Sequence, residues 1–302
     1  MPRVQMLNLY RAEWRKVFAN FKLTSFLVWI FPIGVLAFHT VMILLGLISA
    51  TMQASVEYFG SGSWTADSLN AWNMMITFPA NLFGRMLPLA FMAVVFAGEY
   101  QWRTWKNIAP RTQRWKLILA KMAALMSLVL ISLALTALIS ALGPSIGHRI
   151  HGLPYGPDLD PQILGSFLLD TAKTVFIVLL SLAVLAGYAA IAAITTRSIL
   201  GGLMVSFGFS VLDAVSLGML SLLATIFNQP SLINIYQYTP TYNLSNMYSW
   251  LLRGEGEFAI IAGISPLTFA PGFWVSLLVL AIWIVGLIGL ALAIFQRQEL
   301  TE

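Results

Sequence analysis

An all-α membrane protein with six transmembrane helices and both termini in the cytoplasm is the fold class this sequence predicts, and three observations predict it. First, 59% of its 302 residues are hydrophobic and only 10% are charged, against roughly a quarter charged in a soluble domain. So few charged side chains cannot form a hydrated shell, so the solvent for most of the surface is lipid. Second, six charge-free stretches reach the roughly 20 residues that a helix needs to cross an apolar core of about 30 Å. Third, thirteen of the seventeen Lys and Arg residues fall on one side of the resulting layout, the side retained in the cytoplasm during insertion. The same composition excludes a disordered chain, and the lack of any Cys excludes disulfides and thiolate metal sites.

The elements form a single transmembrane domain over 1–302. Residues 7–22 place Leu7, Tyr10, Trp14, Val17, Phe18 and Phe21 at helical spacing, with Asn8, Arg11, Arg15 and Lys22 opposite, the pattern of an amphipathic helix in the membrane interface. It serves either as an anchor or as a surface on which a cytoplasmic partner pushes, and Tyr10, Trp14, Arg15 and Phe18 would carry either role. Nothing is charged between Lys22 and Glu57, which predicts a first span over 25–49 with Pro32 as a kink. In the following external loop, Trp64 and Trp72 read as interface anchors. The second span is predicted over 78–98, ending at Glu99. The third covers 121–142, opened by Lys121 and stopped by Gly143 and Pro144. His148 and His151 lie just beyond among Gly and Pro, with no helix expected to hold them in register and no firm third ligand, so no metal site is assigned. Lys173 and Arg197 bracket a fourth span over 174–196; the fifth runs over 199–226 and the sixth over 272–295. The intervening external loop, 227–270, contains three prolines, with Pro271 just after it, and an apolar stretch, Phe258 to Ile264, too short to cross and expected to be re-entrant.

Orientation follows from Arg3, Arg11, Arg15, Lys16 and Lys22 before the first span and six more basic residues between the second and third. That second cluster lies in Gly98–Lys121, GEYQWRTWKNIAPRTQRWKLILAK, which Pro110 divides into two expected helical pieces. A loop that only returns the chain to the membrane needs a handful of residues. This one is longer, basic and rich in Trp, a character that suits lipid phosphate or a protein partner at a membrane better than nucleic acid.

The residues Gly98-Glu99-Tyr100, Thr104, Lys106, Arg111, Arg114-Trp115 and Leu119-Ala120-Lys121 resemble the loop between the second and third helices of type 2 ABC transporter permeases. Arg103 stands where that family usually has Gly, and Thr112 where Pro is common. Thr196-Arg197-Ser198, the run Tyr238 to Asn243, and Phe295 to Glu299 resemble other segments of the family in the same order. The resemblance implies a coupling helix within 99–116 resting on an ATPase subunit, with Glu99, Tyr100, Arg103, Thr104, Lys106, Arg111 and Arg114 as coupling residues, and export by alternating access. It also implies that two ATPase copies hold the ATP and Mg. The chain has no GxxxxGK[ST] loop to cradle phosphate itself, so it is not expected to be an enzyme or to carry a cofactor. A prokaryotic plasma membrane is the expected location.

Ionisable groups within spans are costly and mark functional positions. Arg85 lies 14 residues before Glu99 and Asp213 lies 16 after Arg197, so at 1.5 Å per residue both sit roughly 21–24 Å from the basic side. They are expected to pair between the second and fifth helices; the alternative is that Arg85 snorkels outward and Asp213 faces water. Gly202, Ser206, Ser210, Ala214 and Gly218 form a four-residue ladder of small side chains that admits close helix packing. Its partner is either a helix of the same chain or the same helix of a second copy in a homodimer. The cargo expected for an apolar, Met- and Phe-rich path is hydrophobic or amphipathic. Two other classes fit six spans: a stand-alone carrier or channel, and a membrane scaffold. The scarcity of embedded charge and the absence of inverted repeats argue against the carrier.

Overall fold

The computed structural model describes residues 2–48, 62–77, 80–102, 113–257 and 271–298. The elements in chain order are α1 (Pro2–Ala19), α2 (Phe21–Leu27), α3 (Ile30–Ile48), α4 (Trp64–Asn73), α5 (Ala80–Gly84), α6 (Met86–Gln101), α7 (Arg114–Ile150), α8 (Pro161–Thr196), α9 (Ile199–Ala214), α10 (Ser216–Ile226), a 3₁₀ helix (Pro230–Tyr238), α11 (Pro240–Arg253) and α12 (Phe273–Arg297). Five of these units are long and apolar enough to cross a membrane, and the bent pair α9–α10 makes a sixth. The protein is a helical membrane protein, with no β-strand among the described residues.

Helices α6 and α8 occupy the centre: nearly every residue from Leu89 to Glu99 and from Ile177 to Ile194 is buried. Helices α3 and α12 are peripheral, presenting Leu36, Leu44, Leu278, Ile282 and Val285 outward, as lipid-facing helices do. The close approach is set by small residues. A Cβ on Gly187 of α8 would stand 2.7 Å from Leu287 of α12, and one on Gly143 of α7 would stand 2.6 Å from the His39 ring of α3.

Several boundaries differ from those the sequence predicts, each for a local reason. Helix α1 starts before residue 7 and ends at Ala19, because Asn20 breaks the chain and its Oδ1 accepts from the Leu23 N–H at 3.4 Å. The first span divides into α2 and α3, and Pro32 falls in the first turn of α3, where proline costs little. The third span does not stop at Gly143-Pro144: α7 runs on to Ile150. Packing against α3 and α4 compensates for the hydrogen bond that Pro144 removes, a tolerance common in membrane helices. His148 is therefore helical, buried, with Nδ1 2.9 Å from the Pro144 carbonyl. The fourth span begins at Pro161, not 174, because Asp160 caps it by accepting from the Gln162 N–H at 2.7 Å. At 37 and 36 residues, α7 and α8 are each about 55 Å long, far more than a bilayer core requires.

The excess lies at the end away from Arg114 and Arg197, here the distal end. There α4 packs against α7, Trp64 donates from Nε1 to the Pro157 carbonyl at 2.8 Å, and the Tyr155 hydroxyl donates to Asp67 at 2.9 Å. Burial and the bond to Asp67 both push the Tyr155 phenol above its usual range, so it stays a donor. At the opposite, basic end, α8 turns into α9 in two residues. Arg197 adopts a left-handed conformation (φ 51°) and the Ser198 hydroxyl caps α9.

Candidate functional site

Two buried polar nodes lie along α6, about 21 Å apart by the rise of an α-helix over 14 residues. The first is at the basic end. One face of α1 turns Tyr10, Glu13, Trp14 and Val17 into the bundle, and the Tyr10 hydroxyl donates to Ser127 of α7 at 3.0 Å. Helix α1 is thus packed on α7 along this face, with Arg15 and Phe18 left exposed and Phe18 stacked on Trp14 at 4.9 Å. Glu13 is buried, and its carboxylate pairs with Lys121 of α7 at 2.7 Å. Lys121 also reaches Glu99 of α6 at 2.6 Å, and Lys16 of α1 pairs with the same Glu99 oxygen. Among the described residues, two carboxylates and two ammonium groups therefore form a network across α1, α6 and α7 in which the charges balance, the arrangement that allows charge to be buried.

Glu99 is only 2% exposed. It was expected to face an ATPase subunit, and it does not present a surface to one; the cations of two neighbouring helices draw it inward. Tyr100 and Arg114 are also engaged within the chain. The Tyr100 hydroxyl donates to Gln298 Oε1 at 2.9 Å, and Gln298 Nε2 donates to the Ile194 carbonyl at 2.7 Å. Arg114 directs one amino group at the carbonyls of Phe295, Gln296 and Gln298, at 2.8, 2.9 and 3.1 Å. These are carbonyls at the end of α12, which lack the donor four residues on that the helix interior supplies; the Phe295 carbonyl has only a long 3.4 Å bond from the Gln298 N–H. The remaining coupling positions, Arg103, Thr104, Lys106 and Arg111, and the division at Pro110 lie outside the described residues.

The second node joins four interruptions of helix. Arg85, 2% exposed, stands between α5 and α6. Its Nε donates to the Met75 carbonyl at 3.0 Å, just past the end of α4, and its Nη1 donates to Thr241 Oγ1 at 3.0 Å and lies 3.5 Å from Asp213 Oδ2. The Thr241 hydroxyl in turn donates to Asp213 Oδ2 at 2.8 Å, and the Thr241 N–H to Oδ1 at 3.1 Å. The direct ion pair is long, and the hydroxyl between the two charges closes it. Asp213 also sits at the N-terminus of α11, where backbone N–H groups favour a negative charge. Two residues later the chain bends by 67° between α9 and α10. The Ser216 hydroxyl takes the Asp213 carbonyl at 2.7 Å, diverting an acceptor from the helical ladder.

The small-residue ladder faces inward for most of its length. Gly202, Ser206, Ser210 and Ala214 are buried within this chain, and a Cβ on Gly202 would meet Ala97 of α6 at 3.4 Å and Ala193 of α8 at 3.5 Å. Gly218, beyond the bend, faces open space. Glu13, Lys121 and Thr241 were not assigned as site residues from the sequence. Glu13 could have been found from its place on the apolar face of α1, and Thr241 from the Thr-Pro-Thr helix start.

The sequence model describing the ABC-2 family transporter proteins matches residues 27–213, more than half of the chain. The chain belongs to the ABC-2 transporter family. The match spans Arg85, Glu99 and Asp213, leaving α1 and α11 outside it. A comparison with curated proteins finds no match. As a member of this family the chain is the membrane component of a transporter, and such components generally work with an ATPase subunit.

Proposed function

We propose that this ABC-2 chain is the permease subunit of an ATP-driven exporter of hydrophobic or amphipathic molecules, working by alternating access as a homodimer with two cytoplasmic ATPase subunits. The observation that carries this reading is the Glu13–Lys121–Glu99–Lys16 network. It locks the first helix, α6 and α7 together at the end where the basic residues gather, so that force applied there moves three helices as one unit. The basic end lies in the cytoplasm of a prokaryotic cell on the positive-inside rule, with both termini on that side. The segment 99–116 receives the stroke. Arg103, Lys106 and Arg111 contact the ATPase, which holds ATP and Mg, while Glu99, Tyr100 and Arg114 fix the ends of the segment. The second and fifth spans line the path, with Arg85 and Asp213 at its distal part.

The test is purification of the tagged chain from its native membrane. The wild type is expected to bring an ATPase chain with it, and Arg111→Ala to lose that chain while keeping its own elution volume and melting temperature. A wild-type chain that transports in vesicles without a nucleotidase supports a carrier instead.

A further inference from the structure

A cavity of about 430 Å³ opens beside the second node, lined by Tyr188, Phe209, Leu212, Asp213, Ser216 and Trp283 among others from α8, α9, α10 and α12. Its size is that of a site for a small organic ligand. The residues at its rim, Phe209, Leu212 and Leu290, are 40–52% exposed on the lipid-facing flanks of α9 and α12, so the cavity opens sideways toward acyl chains. The polar groups of its wall are unusual in their hydrogen bonding. Ser216 commits its proton to the Asp213 carbonyl, Thr239 to the Tyr236 carbonyl at 2.8 Å, and Trp283 to the Tyr238 carbonyl at 2.7 Å. The Asp213 carboxyl oxygens accept three hydrogen bonds, from Thr241 N–H, Thr241 Oγ1 and Arg85, and keep an outward lone pair of the roughly four a carboxylate offers. Among the described hydrogen bonds, only the Tyr188 hydroxyl in this wall keeps its proton uncommitted. The wall is therefore apolar, aromatic and rich in acceptors.

We infer that this cavity is a binding site, entered from the bilayer, for a hydrophobic molecule whose polar group donates a hydrogen bond, such as a long-chain amine or alcohol. An acceptor-only head, a carboxylate or phosphate, would face the lone pairs of Asp213, Ser216 and Thr239 with the Tyr188 hydroxyl alone left to donate among the described residues of the wall, too few donors for its several acceptor sites, and buried polar atoms left without partners are strongly disfavoured. The wide apolar wall takes the chain. That the bound molecule is cargo rests on the exporter reading; that it binds does not.

The native chain has no Cys, so a single Ser216→Cys variant carries a unique thiol at the cavity wall. In phosphatidylcholine vesicles without nucleotide, its labelling by a bilayer-permeant maleimide is measured with dodecylamine, dodecanol or dodecanoate added. Dodecanol and dodecylamine are expected to slow labelling about tenfold at ten times their Kd, the factor that simple occupancy gives. Dodecanoate is expected to leave it unchanged. Leu278→Cys, on the lipid-facing side of α12, reports unspecific partitioning and should not be protected. Adding Leu290→Trp, which narrows the rim at an exposed position, should abolish protection of the S216C thiol. No protection by dodecanol and dodecylamine, equal protection by all three amphiphiles, or equal protection of the L278C thiol overturns the inference. Because the assay needs no ATPase, its failure is separate from failure of the exporter reading.

Discussion

At the residue scale, both nodes are held by groups whose removal leaves a buried charge without its partner. Lys121 touches two carboxylates, Glu13 and Glu99, so Lys121→Met takes from two buried anions the ammonium they share. The expected loss is about 3–5 kcal/mol, read as a large fall in melting temperature of the solubilised protein, and Glu99→Gln in the same chain should restore much of it. An unchanged melting temperature in Lys121→Met would show that the network is not closed. At the second node, Thr241→Val keeps the side-chain shape and removes the hydroxyl between Arg85 and Asp213, with an expected loss of about 1–3 kcal/mol. Arg85→Ala and Asp213→Ala should cost clearly less together than the sum of their separate effects, whereas strict additivity would mean that the charges act apart. The heights of Arg85 and Asp213 were legible from counting along two spans, because helical rise is fixed. The third member was legible only as part of a helix start, Thr-Pro-Thr, since no periodicity encodes that α11 is brought to Arg85 and Asp213. Glu99 was legible as important and not as buried. A carboxylate beside a basic loop reads as a surface group until the helix carrying Glu13 and Lys16 is folded onto it.

At the element scale, the helix ends are tied by particular side chains. Arg114 satisfies the terminal carbonyls of α12, so Arg114→Ala should speed hydrogen exchange in the last turn of α12, with Arg114→Lys recovering little because one ammonium cannot reproduce the guanidinium fork. Exchange that stays at the wild-type rate in Arg114→Ala would remove this role. The six apolar stretches were readable because each exceeds the length a bilayer requires. Their ends were less readable. Pro144 looked like a stop and is carried inside α7, since burial against α3 and α4 outweighs one missing hydrogen bond. Asp160 is the cap that starts α8 thirteen residues before the predicted span, and a lone Asp ahead of Pro161 does not by itself announce a helix of that length. The bend between α9 and α10 has no Pro or Gly at Val215 to announce it; it comes from Ser216 bonding backward and from Asp213 bonding across to α11.

At the scale of the whole molecule, a central pair of helices, α6 and α8, is surrounded by helices with large apolar outer faces, and a polar node sits toward each end of α6. The basic node joins the first helix to the transmembrane bundle, and the distal node joins the helix breaks beside the sideways-opening cavity. Such an arrangement lets a displacement at one end of α6 be felt at the other, since the helix between them is buried on nearly every side. Ser210→Leu, which places a bulky side chain on the inward ladder of α9, should lower the yield of folded chain before it affects any contact between copies. A folded monomer that merely loses its dimer would instead place the ladder between copies.

The central claim, that the basic end is gripped from the cytoplasm, is tested most directly by a single Lys106→Cys substitution in the otherwise Cys-free chain and a membrane-impermeant maleimide. Labelling is expected in inverted vesicles and not in intact cells. Labelling in intact cells alone would put the basic segment outside and contradict the account.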